Sequence, residues 1–279
     1  DFGQAKLLLF GQELLDNEDM FRQAIDACER NGELNREIYV LAADGGARKV
    51  LEQKLDDEPA AGVFVQNYYK NGEGLRQYLE GLISELRSNE SALIPEIRLL
   101  EREKDKFALE VRGASVIGGF KRQGSLSEDE ARGFMWAKKS CAGIEVAVSH
   151  DGARVPLRVT QSKPKARLVE ADDGTLLCHV NVKASGVIEE FNFDGKSLSD
   201  NERLEKLSEL YKETIREEIL TTFQTLKDKN SDAYGFRELL RKTRPGLHKA
   251  RESDWNSHFQ SMNILPAVDV DIISAGAVK

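Results

Sequence analysis

The sequence predicts an α+β fold of three consecutive mixed α/β domains, over residues 1–68, 69–124 and 125–279. Three observations predict it. Short apolar runs alternate with helical spacing at the start of the chain. An amphipathic helix followed by extended segments occupies the middle. Strictly alternating strands then precede a long helical stripe, and strands followed by helices in this order mark the α+β class. The length of 279 residues suits two or three domains at roughly 100–200 residues each.

In the first domain, the stretches 5–10, 38–43 and 62–65 read as buried strands, the first around Leu7-Leu8-Leu9-Phe10. Between the first two lies a helix with Met20, Phe21, Ala24, Ile25 and Cys28 on one face. Glu18 and Asp19 suit its positive end, and Asn31-Gly32 reads as its left-handed cap. Ala47, Val50, Leu51 and Leu55 predict a second helix, and helices between strands buried on both faces predict three layers. Three strands make a thin sheet. The chain also opens at Asp1-Phe2 without methionine, so its first strands and any targeting signal are expected upstream.

Asn71-Gly72-Glu73-Gly74 breaks the pattern and opens the middle domain. Leu75, Tyr78, Leu79, Leu82, Ile83 and Leu86 follow at helical spacing. Stretches 96–100 and 107–111 read as strands joined by Glu103-Lys104-Asp105-Lys106, and 114–120 as a third.

The last domain is expected to be an antiparallel sheet covered by a long helix plus shorter ones. Ser127 and Glu130 form a capping box, opening a helix that buries Ala131, Phe134 and Met135. Ile144, Val146 and Val148, then Val155, Leu157 and Val159, then Cys178, Val180, Val182 and Ala184 alternate with period two, giving one buried face and one wet face. Pro156 places its strand at an edge or a bulge. A second capping box, Ser199 with Glu202, opens a helix with Leu204, Leu207, Leu210, Tyr211, Ile215, Ile219, Phe223 and Leu226 in its stripe. Helices near 236–241 and 254–259 and a strand carrying Val268, Val270 and Ile272 complete the chain.

The charge balance of −8 argues against non-specific binding to nucleic acid or to anionic lipid, since both need a basic field, although a local basic patch is compatible with it. No apolar run approaches the roughly 18 residues of a membrane span. Cys28, Cys141 and Cys178 have neither zinc spacing nor a disulfide pattern, and Cys28 reads as a small core residue. Asp44-Gly45-Gly46-Ala47 sits where phosphate loops occur, but the third glycine and a Walker lysine are missing, so it reads as a tight turn. His150, His179, His248 and His258 lack the spacing of helical metal pairs. The carboxylates Glu128, Asp129 and Glu130, and Glu217 with Glu218, read as solvated helix surface. Trp255 and Phe259, four apart, read as an anchor of their helix to the sheet. Arg237, Arg241, Lys242, Arg244, His248, Lys249 and Arg251 form the only cationic cluster legible along the chain; it reads as a solvated face or as a contact for acidic headgroups or an acidic loop. The sequence thus singles out no catalytic, cofactor-binding or metal residue and no defined interaction surface.

Three stretches in order carry a resemblance. The first is Leu9-Phe10-Gly11-Gln12-Glu13-Leu14-Leu15, with Arg30, Ile38-Tyr39-Val40-Leu41-Ala42 and Gly46-Ala47. The second is Gly113-Ala114-Ser115-Val116, with Gly118, Phe120-Lys121 and Gly124-Ser125-Leu126 before Glu130. The third is Asp232-Ala233-Tyr234-Gly235-Phe236, with Arg241, Pro245, Asp254-Trp255 and Phe259, and a strand running to Gly276. Together they resemble the Ger(x)C family, the C subunit of the nutrient germinant receptors of spore-forming bacteria. Arg237 stands where the family usually has a second glycine, and no aromatic lies near Leu247; both departures bear on local turns.

The resemblance implies a three-domain α+β lipoprotein that is not an enzyme and has no cofactor. It implies germination through contacts with the A and B subunits, at the outer face of the inner spore membrane. The N-terminal lipid anchor would lie upstream of this chain. Two other readings stand beside it: a nucleotide-binding enzyme built on the N-terminal α/β domain, and a solute-binding lipoprotein.

Overall fold

The computed structural model describes residues 4–55, 60–70, 72, 74–103, 106–188 and 201–274. The fold is α+β, with a five-stranded and a four-stranded sheet among these residues. The chain divides into two units, residues 1–131 with 224–261, and residues 132–223 with 262–279.

The sheet of the first unit runs in spatial order β1 (Leu7–Gly11), β2 (Tyr39–Asp44), β3 (Ser91–Glu103), β4 (Lys106–Gly118) and β5 (Lys121–Leu126). The first three strands are parallel and the last pairs are antiparallel. The boundary expected between residues 68 and 69 therefore falls inside one continuous sheet. Its physical cause is the pairing of β2 with β3 through Ala42 and Glu96, which gives the thin N-terminal sheet the strands that sequence periodicity had assigned elsewhere.

This sheet has helices on both faces, as the run of buried strands predicts. One core joins Val40, Ala42, Ile94 and Ile117 to α1 (Gln12–Leu15), α2 (Glu18–Arg30) and α5 (Leu79–Asn89) through Leu15, Phe21, Ile25, Leu82 and Leu86. The other joins Leu41, Ala43 and Ile97 to α3 (Ala47–Glu52) and α4 (Ala61–Lys70) through Val50, Ala61, Val65 and Tyr69. Each fully buried Leu or Phe of this kind contributes roughly 1.5–3 kcal/mol.

Several local expectations are corrected. Residues 62–65 are not a strand: they lie in α4, whose buried Ala61, Val65 and Tyr69 repeat every four residues. A short apolar run fits either conformation until its flanks are placed. α2 starts at Asn17, which accepts from Met20 N at 3.0 Å, and it ends on an extended Asn31 rather than a left-handed cap. Met20 and Leu51 point outward. The strand expected over 114–120 is the second half of β4, and it ends at Gly118. Asn71 and Glu73 of the expected break, and the turn residues Lys104 and Asp105, lie outside the described residues.

The third resemblance stretch also has a structural role in this unit. Asp232 accepts from the backbone N–H groups of Phe236 and Arg237 at 2.9 and 2.8 Å, capping α8 (Phe236–Thr243). Ser231 donates to the Ile117 carbonyl at 2.7 Å. In the second stretch, Ser115 and Ser125 both donate to Glu96, at 2.7 and 2.6 Å, tying β3, β4 and β5 together. α9 (Pro245–Arg251), a 3-10 turn at Glu252–Asp254 and α10 (Trp255–Ser261) follow. Trp255 and Phe259 are buried, as their spacing predicts.

The Ser127 capping box forms as written. Ser127 N donates to Glu130 at 2.8 Å, and Glu130 N donates to the Ser127 hydroxyl at 3.3 Å, at the start of α6 (Glu128–Lys138). Ser199 and Asp200 of the second box lie outside the described residues, which resume at α7 (Asn201–Asp228).

The sheet of the second unit has the order β6 (Glu145–His150), β7 (Ala153–Glu170), β8 (Leu176–Ile188), β9 (Asn263–Ser274). Its first three strands form the expected antiparallel meander. β9 pairs parallel to β8; four α-helices among the described residues separate the two strands along the chain and remove the tight-turn constraint that makes neighbours antiparallel. Pro156 pairs with Ala147 only, since β8 joins β7 from Arg158 onward. Its missing N–H is therefore harmless. The stripe of α7 buries Leu207, Tyr211, Ile215, Ile219, Phe223 and Leu226, while Leu210 stays exposed. Tyr211 donates to the Val155 carbonyl at 3.0 Å, fixing the helix on the sheet.

Candidate functional site

Within the first unit, α2, α5, α8 and α9 surround a polar groove of about 720 Å³. Four arginines (Arg36, Arg87, Arg237 and Arg241) and four glutamates (Glu29, Glu80, Glu238 and Glu252) line it together with the buried His248. The charges are largely compensated. Arg87 pairs with Glu29, and Arg36 donates to the Glu29 carbonyl at 2.7 Å. Arg241 grips Glu238 with Nε and Nη2 at 2.5 and 2.7 Å, and Lys242 adds a contact at 3.2 Å. Arg237 lies 3.9 Å from Glu252.

This geometry limits the chemistry. The hydrogen bonds from Arg241 hold the Glu238 carboxyl down to about 2, against a smaller upward push from burial. A carboxylate held so low is a poor proton donor at neutral pH.

The basic run read from the sequence is therefore divided by the fold. Arg237, Arg241 and His248 face the groove, Arg251 is buried, and Lys242 is held by Glu238, while Arg244 and Lys249 point to solvent. The acids that intercept it could be found in the sequence at Glu238, three and four residues before Arg241 and Lys242. Glu29, Arg36 and Arg87 come from distant segments, and no local signal marks them, whereas Glu252 directly follows the basic run.

The other sequence candidates are dispersed. Gly45 and Gly46 both adopt positive φ, 84° and 105°, in a tight turn before the six-residue α3. His150 lies 3.5 Å from Asp151, His179 is exposed on β8, and His258 sits in α10. Among the described residues no three His, Cys, Asp or Glu side chains gather as metal ligands. No helix among them is long and apolar enough to cross a membrane. Cys28 is half-buried beside the α2 core, and Cys141 and Cys178 lie apart in the sequence, neither in a disulfide. Glu218, expected on a solvated surface, is instead largely shielded, its side chain 10% exposed. Arg132 donates to it through Nε at 3.1 Å and Nη2 at 2.5 Å, and Trp136 Nε1 donates at 2.8 Å. Glu130 is likewise engaged, accepting from Thr225 at 2.5 Å.

A cluster of aromatic rings flanks β2 on the same unit. Tyr39 stacks on Tyr78 with centroids 5.0 Å apart and lies 4.9 Å from Tyr69, which in turn meets Tyr68. Tyr69 donates to the Leu75 carbonyl at 2.8 Å, so the cluster pins the segment leading into α5.

Comparison with known proteins agrees with the resemblance in the sequence. The family model described as "Spore germination protein N-terminal domain" matches residues 1–99. The model described as "Spore germination B3/ GerAC like, C-terminal" matches residues 112–276. No curated protein matches. A solved structure, described as the crystal structure of the GerBC protein, is similar with a TM-score of 0.68 and 20% identity, over 96% of this chain and 79% of its own. At that identity the likeness is one of fold. The two family models lie in tandem and the second alone spans more than half of the chain, so this protein belongs to the spore germination B3/GerAC-like family and has a germination-related role.

Proposed function

We propose that the chain is the C subunit of a nutrient germinant receptor, a lipoprotein without enzymatic activity that works through contacts with the A and B subunits. Its place is the outer face of the inner spore membrane, held by an N-terminal lipid anchor upstream of this chain. The observation that carries this reading is the tandem match of both germination models across nearly the whole chain. The neutralised groove is in keeping with it, since paired arginines and glutamates position partners rather than move protons. A lipidated full-length protein bearing an affinity tag is expected to sediment with spore inner membranes and to co-purify with the A and B subunits. Recovery in the soluble spore core, with neither subunit attached, overturns the reading.

A second reading, a solute-binding lipoprotein, draws on the groove itself, whose about 720 Å³ is of ligand-site size. Isothermal titration with amino acids and sugars tests it. Heat of binding that disappears in Arg36→Gln and Arg237→Gln variants supports it, and no heat with any candidate removes it.

A further inference from the structure

The wet face of the second sheet carries a cationic stripe that no single stretch of sequence displays. On β7, Lys163, Lys165 and Arg167 point to the same side, two residues apart, and all are exposed. The register places Lys183 of β8 directly opposite Lys163, Asn181 opposite Lys165 and His179 opposite Arg167. Residues so placed sit about 5 Å apart across the strands and about 7 Å apart along them. None of Lys163, Lys165, Arg167 and Lys183 has an ion-pair partner among the described residues. On β9 the same face carries Asp269 directly opposite Lys183 and Asp271 opposite Ser185, and Asp269 is also 3.8 Å from Lys212.

Stability alone does not favour this arrangement. Like charges directly opposite each other on adjacent strands repel. Lys163 and Lys165 flank Pro164 where β7 has run past β6, so these three residues also guard an open sheet edge. Edge protection does not call for Lys183, which sits on an interior strand between β7 and β9. Lys183 stands between Lys163 and Asp269, so Asp269 balances at most one of the two facing lysines, and the face around Lys163, Lys165 and Arg167 keeps an uncompensated positive charge in a chain of net charge −8.

We propose that this face of the β7–β8 sheet docks onto an anionic lipid bilayer. The composition favours a bilayer over a protein. Protein interfaces are depleted in lysine and enriched in aromatic residues, and here lysines dominate with no aromatic among them. The face is an open sheet surface, suited to a planar array of charges. Leu265, exposed beside His179, supplies an apolar contact at the rim. The inference deepens the proposed membrane location and rests on it, but it does not involve the lipid anchor.

The test uses the purified chain, which carries no acyl group, in sedimentation with phosphatidylcholine vesicles with or without phosphatidylglycerol. Binding is expected only to the phosphatidylglycerol vesicles, and it falls as salt is added. Each lysine near such a surface is worth about a fivefold change in affinity, so the triple variant Lys163→Gln, Lys165→Gln, Lys183→Gln binds on the order of a hundredfold more weakly. Lys49→Gln with Lys70→Gln, on the other unit, leaves binding unchanged. Circular dichroism and melting verify that the variants fold. Equal retention on both vesicle types, or undiminished binding of the triple variant, overturns the proposal. So does stripe-dependent capture by polyglutamate without vesicle binding, which assigns the stripe to an acidic protein segment. Membrane fractionation of the lipidated protein reports separately on location, so the two readings fail independently.

Discussion

Arg132 and Glu218 meet side by side between α6 and α7, the guanidinium donating through Nε and Nη2 while Trp136 Nε1 donates to the same carboxylate. The side chains are only 16% and 10% exposed, so solvent does little to screen them. Removing one partner of such a pair leaves a buried charge without its counterion.

Glu218→Ala is therefore expected to cost about 3–5 kcal/mol of unfolding free energy. Glu218→Gln keeps an acceptor for Trp136 and costs less. Denaturant titration measures both, and a loss in Glu218→Ala no larger than that of an ordinary surface substitution contradicts the reading.

Next to this pair the two helices touch at Gly133. A Cβ there would stand 2.3 Å from both the Glu218 carbonyl oxygen and the Thr222 hydroxyl. Backbone cannot yield cheaply to such an approach. Gly133→Ala is expected to destabilise the protein by roughly 1–3 kcal/mol, despite the better helix propensity of alanine. A rise in melting temperature refutes the close approach.

Acid should weaken the first unit through two carboxylates. Burial pushes Glu130 up, but hydrogen bonds from Thr225 and Ser127 outweigh it and hold the group below its ordinary value. Glu238 is held down to about 2, chiefly by Arg241. For a carboxyl depressed in the folded state, stability is fully present above the unfolded value of about 4.3 and is lost as pH falls toward the folded one. Unfolding free energy is thus expected to fall below pH about 4.3, less steeply in Glu130→Gln and Glu238→Gln. Added salt should shrink the Glu238 contribution in particular, because Arg241 is exposed.

The thiols should be sluggish in the native protein. Burial pushes Cys141 up to about 11, offset in part by Ser162, and raises Cys28 as well, while Cys178 is fully buried. Since the thiolate is the reactive form, a disulfide reagent at pH 8 is expected to modify the folded chain slowly and to titrate all three cysteines at once after unfolding. A fast native phase of one thiol would identify a site more open than the fold provides.

The sequence by itself determined the α+β class, most helices, the capping box at Ser127 and the alternation that gives the second sheet one dry and one wet face. Each is written over a few neighbouring residues, in spacing or in a cap. The family, too, was legible, because its residues recur in order along the chain. Tertiary structure decided the rest. Whether residues 62–65 were strand or helix depended on Val65 and Tyr69 meeting Leu41 and Ala43. The five-stranded sheet and the parallel β9 depended on pairings between distant strands. Glu218 looked solvated until Arg132 and Trp136 were brought to it from α6. The cationic run of α8 and α9 was divided by Glu238 of α8 and Glu252 of the turn after α9, and a second stripe arose where β7 and β8 set Lys163 against Lys183. Charge and burial depend on what lies within a few ångströms in space, and only folding brings residues so far apart in sequence that close.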